Sequence, residues 1–246
     1  MSSTLELRPL TARSVVLSTL LGLHPPRIGA RQAVRVGELF GIAEGTIRVA
    51  LSRMVASGDL VQDEKGRYEL TDRLRTRQAR QDESRFPRTR PWDGIWEIAV
   101  ITAERRSPAE RAALRQAMDA LRLAELREGT WLRPANLSRP GRPEIVQRQC
   151  TFLEGRPERD PAALAATLWD LDAWTATAHR LRAALDQAGT LAEQFTVSAA
   201  VQRHLLRDPL LPTPLLPTDW PGPDLRDHYE RFEAEFERVL AEHIFS

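Results

Sequence analysis

One cysteine, Cys150, in 246 residues excludes an intramolecular disulfide and any zinc cluster built on cysteine. A buried thiol is the expectation for it. Histidines are few and scattered, at positions 24, 179, 204, 228 and 243, and read as surface or helix-packing residues, so neither a metal nor a resident cofactor is expected. No run of 18 apolar residues occurs, and the opening MSSTLELRPLTARS lacks the basic, apolar, small-residue order of a secretory signal. A cytoplasmic protein is therefore expected. The patterns G-x-S-x-G, GxxxxGK[ST] and GxGxxG are all absent, which removes the nucleophile elbow and the common phosphate loops.

Against those absences stands a chain that is 42% hydrophobic, enough for real cores. The net charge of +1 is unevenly spread: residues 1–91 carry 16 Lys+Arg against 10 Asp+Glu, and residues 92–246 carry 19 against 24. A basic first segment ahead of an acidic remainder suits a module that meets nucleic acid, followed by modules that do something else.

The basic segment reads as three short helices and a hairpin. Ala12–Leu23 repeats apolar residues at Val16, Leu20 and Leu23 and stops at His24-Pro25-Pro26. A second helix over AVRVGELFGI turns Val36, Leu39 and Phe40 inward and ends at Gly41. A third runs from Ala43 to Ser57, closed by Gly58, with Ile47, Ala50, Leu51 and Met54 on one arc. Leu60-Val61 and Tyr68-Leu70, separated by Asp63-Glu64-Lys65-Gly66, form the hairpin. That order is a winged helix-turn-helix, whose third helix enters the DNA major groove. The arc opposite Ile47 holds Gly45, Thr46, Arg48, Val49, Ser52 and Arg53. These residues, with Lys65 and Arg67 on the wing, are the candidate DNA contacts. Acidic Glu44, Asp63 and Glu64 cut the other way, and a winged helix can also dock proteins.

Thr71 is placed to cap a polar helix, DRLRTRQARQDESR, with Arg73, Arg77 and Arg80 on one face; FPRTRPW marks a boundary. WDGIWEIAVIT predicts a strand over Ile95–Ile101, and Ser107-Pro108 opens a helix. ELREGTWLRP and EIVQRQCTFLEG read as further strands, suggesting a small split βαβ sheet of ferredoxin-like type. The last third is helical: 161–189 interrupted near Trp169–Asp172, TLAEQFTVSAAVQRHLLR, and DLRDHYERFEAEFERVLAEHIF with Tyr229, Phe232, Phe236 and Val239 as a stripe that faces either a bundle or a second subunit. DPLLPTPLLPTDWPGP holds six prolines between 209 and 223 and must wrap over a surface. The expected fold is α+β and mostly helical: a winged helix-turn-helix over 1–89, a ferredoxin-like middle domain over 90–158, and a helical effector or dimerisation domain over 159–246.

TIRVALSRMVASGDL, WDGIWEIAV, GTWLRP, LWDLDAW and HLLRDPLLPTPLLPTDWPG together resemble the PaaX family of bacterial transcriptional repressors along nearly the whole chain. The resemblance implies a homodimer that represses aromatic catabolic genes, notably those for phenylacetate, and leaves its operator when phenylacetyl-CoA binds. It carries DNA contact over to Arg48, Ser52 and Arg53, with Thr46 beside them. The compact GLHPPRIGARQAVRVGELFGI departs from longer relatives and bears on the docking angle. A CoA ester needs cations for its phosphates and an apolar slot; Arg133, Arg139, Arg142 and Arg148 with Trp131 and Trp174 are candidates, and the effector-binding residues stay unassigned. The middle domain is also similar in fold to CRISPR-associated nucleases, yet Ile101 is followed by Thr102-Ala103 before Glu104, where a metal site would want carboxylates. The expectation is a regulator and not an enzyme, with a protein-docking module and a metal-dependent nuclease as alternatives.

Overall fold

A computed structural model of the protein describes residues 10–139 and 141–245. The first helix, α1 (Ala12–Gly22), opens at Thr11, whose hydroxyl accepts from the Ser14 amide while the Ser14 hydroxyl accepts from the Thr11 amide. Two end donors are thereby satisfied reciprocally. A three-residue strand, β1 (Arg27–Gly29), leads into α2 (Ala30–Leu39), Gly41 turns the chain at φ +66°, and α3 (Glu44–Ala56) follows. Gly58, at φ +69°, releases the chain into β2 (Leu60–Gln62) and β3 (Arg67–Leu70). The predicted hairpin is present, and β1 adds to it a third antiparallel strand in the order β1-β3-β2. Three residues are too few to show a period in sequence, so β1 carried no signal.

Helix α4 (Asp72–Arg85) follows, with Thr71 at the position before its first residue. The Thr71 carbonyl accepts from Leu74 and Arg75, closing the first turn, while its hydroxyl donates to the Gly58 and Asp59 carbonyls, 3.1 and 3.2 Å away. The hydroxyl thereby ties the end of the hairpin to the turn after α3. One face of α4 buries Leu74 and Gln78. The Gln78 side-chain amide donates to the carbonyls of Leu21 and Leu23 at 3.0 and 2.9 Å, satisfying acceptors that the end of α1 leaves open.

The next stretch runs β4 (Trp96–Ile101), α5 (Pro108–Ala120), β5 (Ala124–Arg127), β6 (Thr130–Pro134), α6 (Glu144–Gln149) and β7 (Cys150–Gly155). Its antiparallel sheet, ordered β5-β6-β4-β7, has the βαββαβ connectivity of the ferredoxin-like fold. EIVQRQ is a correction to the sequence reading: it forms α6, and the strand begins only at Cys150. The Pro143 carbonyl accepts from Val146 and Gln147, starting a helical turn that buries Val146 on one side. One sheet face packs Ala99, Trp131 and Cys150 against Leu114, Met118 and Val146 of the helices. The other packs Trp96 and Leu132 against the segments that follow.

Those segments are α7 (Pro161–Leu168), capped by the Asp160 carboxylate, and α8 (Leu171–Gln187), divided at the predicted Trp169-Asp170 interruption. Next come α9 (Leu191–Leu205) and α10 (Gly222–Phe245). Between these two, the proline-rich stretch forms only a 3-10 turn at Thr213–Leu215, with Leu211 and Leu215 buried on the sheet core. The buried stripe of α10 is Leu225, Tyr229, Phe232, Phe236 and Leu240; Val239 is only half-buried.

Two compact units result, and they divide the last third of the chain differently from the three sequential segments expected. Residues 10–85, 176–206 and 221–245 form the first, in which Phe195, Phe232, Phe236 and Leu240 share one core with α1, α2 and α3. Arg85 supports that packing: it is bonded to Glu230 at 2.7 and 3.0 Å and lies over the Tyr229 ring. Residues 86–175 and 207–220 form the second unit, around the four-stranded sheet.

Within the first unit α2 and α3 approach closely at Gly37, where an added Cβ would stand 2.6 Å from Ile47 Cγ1. Gly37→Ala is expected to cost about 1–3 kcal/mol, the usual range for an overpacked core. Urea denaturation checks it, and Gly45→Ala, with open space around it, should cost less than half as much.

Candidate nucleic-acid interface

Helix α3 has two unlike sides. Ile47, Leu51 and Met54 are at most 1% exposed and fix the helix to the core. Gly45, Thr46, Arg48, Val49, Ser52 and Arg53, the residues predicted from spacing, all lie on exposed positions. Val49 is 50% exposed, an apolar group left facing outward in the middle of the arc.

The four candidate cations differ in how their charge is used. Arg48 Nε is 2.7 Å from Glu44 Oε1 one turn earlier, a pair with both side chains more than half exposed. Arg67 is held 2.6 Å from Asp63, and the Asp63 carboxylate also accepts from the Lys65 and Arg67 amides. The backbone bond from Arg67, followed by its side chain, holds the Asp63 carboxyl below its usual range. Asp63 thus shapes the wing turn. Arg53 and Lys65 make no ion pair among the described residues.

A groove of about 440 Å³ runs between α3 and the start of α1, lined by Thr46, Val49 and Arg53 together with Thr11, Arg13 and Ser57. Sequence spacing gave no hint of Arg13, because the fold brings it in from 33 or more residues away. Beneath the same end of α3 lies Asp59, 3% exposed, accepting from Arg13 at 2.7 Å, Arg73 at 2.5 Å and the Ser57 hydroxyl at 3.1 Å. Burial pushes this carboxyl upward, and the bonds from Arg13, Ser57 and Arg73 more than offset it, leaving it below the ordinary aspartate value. This clamp joins α1, the turn after α3, and α4.

The effector candidates are only partly brought together. Arg133, Arg139 and Arg142 gather around Glu97, whereas Arg148 pairs with Glu144 at 3.7 Å. Trp131 is buried under Arg115, and Trp174 stacks on Trp220 at 4.3 Å. Both rings are occupied with packing. Among the described residues no three His, Cys, Asp or Glu stand close enough to hold a metal ion, and no helix is long and apolar enough to cross a membrane.

Fold and arc define the first unit as a winged helix-turn-helix with further helices packed on it, carried with a ferredoxin-like sheet. Family models match in three places: PaaX-like protein at residues 11–74, PaaX protein central Cas2-like domain at 89–152, and PaaX-like protein C-terminal domain at 169–245. The chain belongs to the PaaX family of regulators. Among solved structures it is similar to the uncharacterized protein Rv0674 from Mycobacterium tuberculosis, at 46% identity and a TM-score of 0.81, over 95% of this chain and 98% of that one. No curated protein matches it.

The Asp59 clamp gives a signed pH dependence. Its stabilisation is complete above the ordinary aspartate value of about 4 and is lost as pH falls through the depressed native value. Asp59→Asn should cost about 1–3 kcal/mol at neutral pH. Thermal melts from pH 7 to 3 should show the gap between the two proteins narrowing as acid is added.

Proposed function

We propose that this chain is a DNA-binding transcriptional repressor of aromatic, phenylacetate-type catabolic genes, acting as a cytoplasmic homodimer and released from its operator by an aryl-CoA effector. The observation that carries the DNA-binding part is the exposed arc of α3, set opposite a fully buried face in a winged helix. Thr46, Arg48, Val49, Ser52 and Arg53 would meet base edges and phosphates in the major groove, with Lys65 and Arg67 reaching the backbone from the wing. Arg13, which lines the groove beside α3 while one terminal nitrogen holds Asp59, would meet a further phosphate with its other donors. Membership of the PaaX family supports the regulated genes, the dimer and the effector. In a dimer the two α3 helices would address successive major grooves, about 34 Å apart, and an effector would act by favouring a spacing that no longer fits.

The exposed Val49 and Val61, 50% and 49% open, favour protein docking as a second reading. Fluorescence anisotropy on the promoter DNA beside the protein's own gene, across a salt series and against unrelated DNA, separates the two. Specific binding should fall steeply with salt. Arg53→Ala should weaken it about tenfold and lower the salt slope by about one, the signature of a lost phosphate contact. Equal affinity on both DNAs, or an unchanged Arg48→Ala Arg53→Ala double variant, would move the docking reading to first place. Phenylacetyl-CoA added to the specific complex should release the DNA, and retention at saturating ligand would remove that effector.

A further inference from the structure

The second unit carries a charge imbalance that its packing does not consume. Glu97 on β4 stands opposite Arg133 on β6, and the Arg133 side chain is fully buried. That guanidinium donates to the carbonyls of Pro134 and Leu210 and to Asn136 Oδ1, at 3.0, 3.2 and 2.8 Å. Two more guanidiniums converge on the same carboxylate: Arg139 at 2.8 Å from Glu97 Oε1 and Arg142 at 3.3 Å from Oε2. Arg90 completes the group, giving its Nε to the Ala135 carbonyl at 2.8 Å. The only other carboxylate in register is Glu154, across from Glu97 on β7 and exposed. Arg122 and the buried Asp208 act on Arg133 as well, so five guanidiniums gather with three carboxylates and the balance stays positive.

The surplus faces a cleft. Arg90, Arg139, Arg142, Ser138, Gln147 and the largely buried Glu97 line a hollow of about 590 Å³, within the size range of small-molecule sites. The terminal nitrogens of Arg90, and Nε and Nη1 of Arg142, make no hydrogen bond among the described residues. Arg142 lies over the Phe152 ring, 3.7 Å from its centroid, which fixes the plane of its donors. Oriented planar forks at the rim, with a fixed guanidinium buried behind them, match a tetrahedral oxyanion, which accepts two hydrogen bonds from each guanidinium. Burial chiefly, and then the neighbouring Arg139, push the Arg133 guanidinium below its usual value.

We propose that this cleft binds the phosphate or diphosphate group of a small phosphorylated ligand, held by Arg90 and Arg142 beside Glu97 and Arg139, with the buried Arg133 behind them. The proposal deepens the aryl-CoA reading of the function and rests on it for the kind of ligand, while it does not depend on the reading of α3 as a DNA contact. Isothermal titration of the full-length protein with inorganic pyrophosphate and with CoA tests it. Both should bind, and Arg90→Ala Arg142→Ala should weaken each about tenfold or more. Arg142→Lys, which keeps the charge but loses the fork, should fall between. The two side chains are exposed, so an unchanged melting temperature confirms that folding is intact. Tighter binding of CoA than of pyrophosphate would assign the site to a nucleotide-bearing ligand, and equal binding to the phosphoryl group alone; both support it. Absence of binding to either probe, or equal binding by the double variant, overturns it. A double variant that loses only DNA affinity also overturns it, assigning these arginines to a nucleic-acid backbone.

Discussion

Ile47 occupies the space that any side chain at position 37 would need. That one approach brings α2 and α3 together and turns the Ile47–Leu51–Met54 edge of α3 into the core. Because a helix turns about 100° per residue, burying that edge leaves Thr46, Arg48, Val49, Ser52 and Arg53 no choice but to face outward. Everything else in the first unit steadies the result. The Asp59 clamp fixes the C-terminal end of α3 against α1 and α4, and Gln78 fastens α4 to the last carbonyls of α1. The exposed arc is therefore carried on a helix secured at both ends, which keeps the ordering entropy of binding small.

The acidic partners of Arg48 and Arg67 compete with a polyanion, by amounts that differ between the two pairs. A solvent-exposed pair one helical turn apart is worth about 0.3–0.5 kcal/mol, and Glu44–Arg48 is of that kind. Exchanging Glu44 for a phosphate would cost little against a charge-assisted bond. Asp63 is a different case, since its carboxylate accepts two backbone amides of the wing turn as well as Arg67. Its charge is structural, and the wing offers Lys65 as the cation not already engaged.

Local rules made much of this legible in the sequence. The arc of α3, the Ser107-Pro108 helix start, the hairpin around Gly66 and the break at Trp169-Asp170 all depend on residues within a few positions of one another. The candidate interface was likewise readable, since helical spacing alone assigns the faces of α3. What escaped was set at long range. Gln78 meets α1 more than fifty residues away, and Arg13 reaches Asp59 across 46. EIVQRQ looks like a strand by composition, whereas in the fold the Pro143 carbonyl starts a helical turn whose Val146 packs with Leu114 and Met118. The last third reads as one helical domain because its helices are amphipathic. Which core each helix joins depends on partners that the pattern does not name.

The proline-rich stretch shows how a recognisable motif can precede its reason. DPLLPTPLLP is conspicuous in sequence because prolines exclude regular structure, yet exclusion says nothing about where the chain goes. In the fold Leu210 is held at φ +52°, a left-handed conformation that a leucine rarely adopts. Its carbonyl accepts from both Arg133 and Asn136, and its amide donates to the Asp208 carboxylate. Arg133 thus serves two structures together: its carbonyl acceptors anchor the proline-rich segment, and its charge sits beside Glu97. A neutral residue there would leave the Leu210 carbonyl with one donor fewer and Glu97 with less cationic support. A guanidinium meets both demands with its five donors, and keeping it buried obliges the sheet to carry positive charge behind the cleft. The cationic character of that cleft follows from how the chain folds, before any ligand is considered.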